Sequence, residues 1–150
     1  MKQVPVKNEH GSFTVAGIEL GGDAEVSEDL WRRVEGVADE VRGELSERYR
    51  DFGRADFKRL AMLEPYIRYF KKFKKTYHLM LQLESFAHGE RPLPRIHPLV
   101  TAYFLGELRN GVLSSIHDAD AVEGALRLVR TAGDERLTLF SGEERKAPAD

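Results

Sequence analysis

The sequence predicts an α+β fold, in which a strand precedes a run of helices and two strands follow it. Residues 12–20 and 125–141 alternate apolar and polar side chains, as half-buried strands do. The apolar residues between these segments recur at helical spacing instead. Because strands and helices are not interleaved, repeated βαβ units are not indicated. A chain of 150 residues with 41% apolar content can build one core, so we expect a single domain over residues 1–150.

The first strand and the first helix have clear boundaries. SFTVAGIEL, residues 12–20, ends at the glycine pair Gly21 and Gly22. Ser27 is a suitable helix cap and is followed by acidic residues in the first turn. A long amphipathic helix is indicated by apolar residues at helical spacing, namely Leu30, Val34, Val37, Ala38, Val41, Leu45 and Tyr49.

The middle of the chain predicts further helices. Residues 51–64 suggest a short helix, and Pro65 suits the first position of the next one. From Tyr77 to His88 this helix, or a second one, is apolar nearly all round, and Gly89 is a natural terminator. The following loop, ERPLPRIHP, is rich in proline.

Another helix and a hairpin complete the predicted fold. Pro98 opens PLVTAYFLGELRN and Gly111 closes it. ALRLVRT and RLTLFS are joined by AGDE and predict a hairpin. Residues 143–150 are polar, and we expect a mobile tail.

Composition excludes several classes of function. The sequence has no cysteine, which excludes disulfides, thiolate nucleophiles and cysteine-ligated zinc. No window approaches the ~18 apolar residues of a membrane span, and the start lacks the apolar core of a secretion signal, so we expect a cytoplasmic protein without a membrane partner. Glycine-rich phosphate loops and recognised metal-ligand spacings are also missing, so no metal and no cofactor are expected.

Charge is distributed unevenly along the chain. Residues 19–51 carry 11 acidic and 5 basic side chains, whereas residues 52–97 carry 10 basic and 4 acidic ones. Five cations lie within residues 68–75, opposite an arc of about 100° that holds five aromatic residues. The cations are Arg68, Lys71, Lys72, Lys74 and Lys75. They are either a surface for RNA phosphates or the solvated back of an amphipathic helix, and the aromatics suit core packing better than base stacking.

Two polar groups are candidates for a binding site. His78, Gln82 and Ser85 share one side of the apolar helix and need partners, which are either protein groups or a ligand. The loop SSIHDAD, residues 114–120, combines hydroxyls, carboxylates and His117. Its aspartates are alternatively caps of the following turn. Two weaker hypotheses for the same loop are a Ser-His-Asp triad and a metal site that also includes His78 or His97.

Several blocks of the sequence resemble the editing, tRNA-associated domain of the phenylalanyl-tRNA synthetase beta subunit, in its stand-alone form. The blocks are KKFKKTYHLMLQLES, LPRIHPLVTAYFLGELRNGVLSSIHDADAVEG and LVRTAGDERLTLFSGEE, and the similar region covers about residues 66–143. The resemblance implies a β-barrel-like or mixed-sheet core with inserted amphipathic helices. In the family, further strands follow the point that corresponds to Asp150, so we expect either that such strands lie beyond this sequence or that the fold is reduced.

The resemblance also implies a function and roles for residues. The family hydrolyses wrongly attached amino acids from tRNA, so an aminoacyl-tRNA is the expected partner, and the aminoacyl group or a small amino acid is the expected ligand. The residues carried over for substrate binding are His78, Gln82, Ser85, His97, Ser115 and Asp120. His117 would position or polarise water, and Asp118 would orient His117. Ser115 stands where the synthetase has a histidine, and His97 replaces an asparagine.

A non-catalytic module that binds RNA or an amino acid is the alternative function. In either case the five cations of residues 68–75 would contact RNA phosphates. The sequence does not indicate an oligomeric state.

Overall fold

The structure is a computed structural model, and it describes residues 2–11, 13–21, 25–89, 92–93, 95–139 and 141–149. The chain mixes α-helices and short β-strands, as predicted. Its contacts divide it into two compact units, where the sequence analysis expects one domain. The helical unit comprises residues 24–116, and the terminal unit comprises residues 1–23 and 117–150.

The described residues of the helical unit form five helices. They are α1 (Glu28–Arg48), α2 (Arg54–Phe57), α3 (Glu64–Lys72), α4 (His78–Ala87) and α5 (Pro98–Asn110). The prediction of Ser27 as a cap is confirmed, because its hydroxyl accepts a hydrogen bond of 3.2 Å from the backbone N–H of Leu30. None of the described helices is long and apolar enough to cross a membrane.

The hydrophobic core of the helical unit lies between α1, α4 and α5. One face of α1 supplies the buried side chains Val34, Ala38, Val41 and Leu45, all of which belong to the predicted apolar stripe. Phe57 and Leu63, from the segment 51–64, are fully buried in the same core. The short helix predicted in that segment is α2.

The segment 66–88 forms two helices with a sharp break between them. After α3 ends, Lys74 adopts a left-handed backbone conformation with a φ of 54°. The N–H of Lys75 donates to the carbonyl of Phe70 at 3.1 Å, and the N–H of Lys74 donates to that of Lys71 at 3.0 Å. This pair of hydrogen bonds is the Schellman motif that ends many helices. Pro65 lies in the first turn of α3 but is its second residue, because the helix begins at Glu64, one residue before the predicted start.

Helix α5 has the predicted ends. It begins at Pro98 and is closed by Gly111, whose φ of 66° is left-handed. A Cβ atom added at Gly111 would lie 2.7 Å from the Sδ of Met62. Glycine is therefore required here both by the backbone conformation and by the close approach of a side chain.

Three two-stranded sheets are formed by the residues of the terminal unit that the structure describes. Strand β1 (Lys2–Val4) pairs antiparallel with β3 (Gly17–Glu19), and β2 (Val6–Asn8) pairs parallel with β4 (Leu126–Leu128). Strand β5 (Arg136–Thr138) pairs antiparallel with β6 (Glu144–Lys146). The hairpin predicted between ALRLVRT and RLTLFS is wrong, because β4 and β5 each pair with a different strand.

Other expectations about the strands also change. The strands form no closed barrel in the described part of the chain, and the large apolar core is built by helices. Residues 143–150, predicted as a mobile tail, include β6 and the buried Ala147. The first predicted strand is reduced to β3.

The described residues do not include Ser12, Gly22, Glu90, Arg91, Pro94, Phe140 or Asp150, on which parts of the predicted strands, loop and tail fall.

Candidate functional site

A groove of about 280 Å³ lies among α2, α3, the α3–α4 connection and α4. Its polar lining is Arg54, Lys58, Lys71, Lys75 and Thr76, and its other lining residues are Ile67, Tyr77, Met80 and Leu81. Met80 is 2% exposed and Tyr77 is 1% exposed, whereas the five polar residues are exposed. The groove therefore has an apolar floor and cationic edges. We call it the basic groove.

The elements around the basic groove explain this lining. On α3, Ile67 and Lys71 are one turn apart and share a face. On α4, Leu81 lies one turn after Tyr77, the residue that precedes the helix. The left-handed turn at Lys74 reverses the chain between these two faces and places Lys75 and Thr76 in the same groove.

Most of the positive charge in the basic groove is not neutralised by the protein. Within the described residues, Lys58, Lys71 and Lys75 form no ion pair. Arg54 differs, because its Nε contacts both carboxylate oxygens of Glu84, at 3.0 and 3.2 Å. Three uncompensated ammonium groups around one concave surface make it attractive to an anion.

Arginines elsewhere in the helical unit are commonly paired with acidic residues. Arg48 lies 2.6 Å from Glu44, and Arg109 lies 3.0 Å from the same carboxylate. Arg32 lies 3.1 Å from Asp29. Within the described residues Arg33, Arg50 and Arg59 also form no ion pair, so the distinguishing feature of the basic groove is that three unpaired lysines line one concave surface.

The five cations predicted to contact RNA have different surroundings. Lys71 and Lys75 line the basic groove. Arg68 forms an ion pair of 3.0 Å with Glu64, and the Nζ of Lys72 lies 5.0 Å from the centre of the Tyr69 ring. Lys74 is exposed in its left-handed turn.

Sequence reasoning missed Arg54 and Lys58. They precede the lysine cluster by 13 residues or more and share no helix with it, so no spacing rule links them to Lys71. Only the packing of α2 beside α4 brings them to the basic groove.

The aromatic residues of the segment 66–77 pack mainly on one another. The rings of Tyr66 and Tyr77 are stacked, with centroids 5.1 Å apart and planes 13° apart, and Phe70 lies 5.0 Å from Tyr77. Burial raises the pKa of the Tyr77 hydroxyl, which has no hydrogen-bond partner in the described part of the chain. These rings contribute to packing, as their spacing predicts.

The predicted polar stripe on α4 is only partly buried. His78 is exposed at the first turn, and Gln82 and Ser85 are half-buried. The Oε1 atom of Gln82 is buried and, among the described residues, accepts no hydrogen bond. An unsatisfied buried acceptor of this kind costs about 1 to 3 kcal/mol, so Gln82 is the member of the stripe with an unused capacity to bind a donor.

His97 has a structural role at the start of α5. Its side-chain Nδ1 accepts a hydrogen bond of 3.2 Å from the backbone N–H of Leu99. This contact satisfies one of the donors that a helix leaves unpaired in its first turn.

The loop SSIHDAD is divided between the two units. Ser115 belongs to the helical unit, and His117, Asp118 and Asp120 belong to the terminal unit. The Oδ1 of Asp118 accepts a hydrogen bond of 3.1 Å from the N–H of Asp120 and caps the 3-10 turn Ala119–Ala121. The capping alternative is confirmed, while the catalytic roles of His117 and Asp118 stay a prediction.

Sequence reasoning did not single out Glu107 as a structural centre. This carboxyl group is 6% exposed on α5 and accepts hydrogen bonds from the backbone N–H of Ser114 at 2.7 Å and from its hydroxyl at 3.0 Å. The hydroxyl of Tyr103 donates to it at 3.2 Å and also contacts the carbonyl of Ser114. Burial raises the pKa of Tyr103. An acidic residue among the apolar positions of α5 is the signal that could have identified this network.

A search for metal-binding side chains and a comparison with known proteins also bear on the function. In the part of the chain that the structure describes, no group of three or more histidine or acidic side chains is arranged to hold a metal ion. No protein-family model, curated protein or solved structure matches this chain. The basic groove and the sequence resemblance are therefore the observations on which a function can be proposed.

Proposed function

We propose that the protein binds RNA through the cations of α2, α3 and the α3–α4 connection, and that its partner is an aminoacyl-tRNA. The observation that carries the proposal is the cluster of unpaired lysines Lys58, Lys71 and Lys75 around one groove. The class of RNA comes from the resemblance of residues 66–143 to a tRNA-associated editing domain.

Electrostatics favours a polyanion as the partner. A lysine that contacts a phosphate displaces counterions from the RNA, and the released counterions make binding favourable at low salt. An arginine that already pairs with a carboxylate, such as Arg68 with Glu64, contributes less free energy to phosphate binding, because its ion pair within the protein must first be broken. The unpaired lysines of the basic groove are therefore expected to supply most of the affinity.

The test is the affinity of the purified protein for tRNA and for unpaired RNA, measured by fluorescence anisotropy at several salt concentrations. We expect the double variant Lys71→Gln/Lys75→Gln to bind more weakly. For single-stranded RNA, the negative slope of log K against log salt should become shallower by about 1.4, since each lost phosphate contact contributes ~0.7.

A matched control removes the same amount of charge elsewhere. Arg32→Gln/Arg33→Gln changes two cations in the first half of α1, the end of that helix remote in sequence from the connection to α2. This control should bind RNA nearly as the unchanged protein does. Binding that is insensitive to salt, or equal losses in the two double variants, would contradict the proposal.

Hydrolysis of a mischarged tRNA is a second candidate function. It is implied by the resemblance of residues 66–143 to an editing domain. His117 would position or polarise the attacking water, and Asp118 would orient His117, as the resemblance implies. Release of the amino acid by the purified protein, with His117→Ala as the comparison, tests this candidate. Release no faster than in buffer would leave RNA binding alone.

A further inference from the structure

We propose that the basic groove is a site for one unpaired nucleotide, whose phosphate lies among the lysines and whose base lies on the apolar floor. For a nucleotide within RNA this inference rests on the proposed function, and it specifies which part of an RNA the groove accepts. The residues involved lie within the helical unit.

The size of the basic groove favours a single small group. Its volume of about 280 Å³ is close to the lower end of ligand pockets, which span roughly 300 to 1,000 Å³. A long strand segment does not fit in such a space. One nucleotide can enter while the neighbouring nucleotides remain on the exposed cationic surface.

The cations approach the basic groove from different elements. Lys58 directly follows α2, whereas Lys71 lies in the last turn of α3 and Lys75 lies in the connection that follows. A phosphate among them can receive donors from several directions without breaking an ion pair within the protein. The exposed hydroxyl of Thr76, beside Lys75, adds a neutral donor.

The apolar floor distinguishes this site from one for a bare anion. Ile67 and Leu81 are half-buried and supply the accessible aliphatic surface of the floor, whereas Met80 and Tyr77 are buried beneath it. Every nucleobase has an apolar face, and contact through that face does not depend on sequence. In a duplex these faces are covered by stacking, so only an unpaired nucleotide can use the floor.

A backbone outlier supports a functional role for the turn beside the basic groove. Lys74 has a φ of 54°, a conformation that costs a non-glycine residue about 1 to 2 kcal/mol. Glycine would end α3 without this cost. With lysine at this position, the turn carries another exposed cation next to Lys75 at the expense of stability.

Two sources can supply the same chemistry, a free nucleoside monophosphate or an unpaired nucleotide of RNA. They are separated by following backbone amide signals of the unchanged protein by nuclear magnetic resonance. The additions are adenosine 5′-monophosphate, inorganic phosphate, an unpaired RNA hexamer and a blunt RNA duplex. We expect the monophosphate and the hexamer to shift the amides of Lys58, Thr76 and Leu81, and inorganic phosphate to shift that of Leu81 much less.

Variants test the two halves of the site separately. Lys58→Glu should weaken binding of the hexamer, whereas Arg68→Glu, which changes a paired cation of α3 outside the groove lining, should have a smaller effect. Leu81→Ala should weaken hexamer binding about fourfold, as loss of one buried methylene group does, and leave duplex binding unchanged. A thermal melt of each variant verifies that it is folded.

The outcomes separate this inference from the proposed function. If RNA binds with a steep salt dependence but Lys58→Glu and Leu81→Ala behave as Arg68→Glu does, the nucleotide site is overturned and RNA binding stands. If neither RNA class binds while adenosine 5′-monophosphate shifts the three amides, the proposed function fails and the site for a free nucleotide is supported. Equal shifts of Leu81 by inorganic phosphate and by the monophosphate would reduce the groove to an anion site and overturn the role of the floor.

Discussion

Glu107 shows how one buried acidic side chain can organise the segment that follows its helix. Its carboxyl group accepts from two donors of Ser114 and from the hydroxyl of Tyr103, four residues earlier on α5. Gly111 turns the chain back after the helix so that Ser114 reaches Glu107. The hydrogen bonds to this carboxyl group are partly buried, so donors that lose the acceptor incur part of their desolvation cost.

Glu107→Ala is therefore expected to lower the free energy of unfolding by about 2 to 4 kcal/mol. Glu107→Gln keeps an oxygen acceptor in a side chain of the same shape. It should lower the free energy of unfolding by less than half as much as Glu107→Ala. Urea denaturation followed by circular dichroism measures both variants. Glu47→Ala on the exposed side of α1 serves as the control and should change stability by less than about 0.5 kcal/mol. Equal losses for the alanine and glutamine variants at position 107 would disprove the acceptor role.

At the scale of single elements, the described helices α3, α4 and α5 are each followed by a left-handed residue, and the residue types differ, since Gly89 follows α4. Helix α5 ends at Gly111, where this conformation has no steric cost, whereas α3 is followed by Lys74. Both ends satisfy backbone carbonyls of the last turn. The stability of the two helix ends should therefore respond in opposite directions to substitution.

Lys74→Gly is expected to raise the free energy of unfolding by about 0.5 to 1 kcal/mol. The relief of left-handed strain, ~1 to 2 kcal/mol, exceeds the added entropy of glycine in the unfolded chain. Lys72→Gly, inside the last turn of α3, removes the same charge and should destabilise the protein by a similar amount. The melting temperatures of the two variants provide the comparison. A melting temperature of Lys74→Gly below that of the unchanged protein would show that the turn is not strained.

Gly111→Ala should have the opposite effect to Lys74→Gly. The Cβ of alanine would lie 2.7 Å from the Sδ of Met62, and alanine disfavours the left-handed backbone conformation at this position. We therefore expect the free energy of unfolding to fall by about 1 to 2 kcal/mol. Gly106→Ala, in the middle of α5 with no atom within 4 Å of its added Cβ, is the matched control. The free energy of unfolding of that control should rise by up to about 1 kcal/mol, because alanine has a higher helix propensity than glycine. A neutral result for Gly111→Ala in the same denaturation assay would contradict this view of the helix end.

At the scale of the whole molecule, apolar burial is concentrated in one unit. Apart from Ala147, every buried apolar side chain of the described residues belongs to the helical unit. The described strands are three residues long and are largely exposed. Short strands with little apolar cover are expected to open more readily than a packed helical core.

Hydrogen exchange should report this difference directly. We expect the backbone amides of Leu45, Leu83 and Leu108, whose side chains are at most 1% exposed, to exchange at least about 100 times more slowly than the hydrogen-bonded amides of β1–β6. Exchange rates should be compared after correction for local sequence. Equal protection in the strands and the helices would refute the uneven stability.

The sequence by itself determined the elements whose signals are local. Ser27, Pro98 and Gly111 mark helix ends through hydrogen bonds or backbone preferences that involve only nearby residues. Helix α1 has the predicted start, and α5 has both predicted ends. Strand pairing depends on residues far apart in the chain, which is why β4 pairs with β2 and not with its predicted neighbour. The tertiary structure alone decided that Arg54 and Lys58 join Lys71 and Lys75 at one groove, because packing of helices relates positions that no sequence period connects.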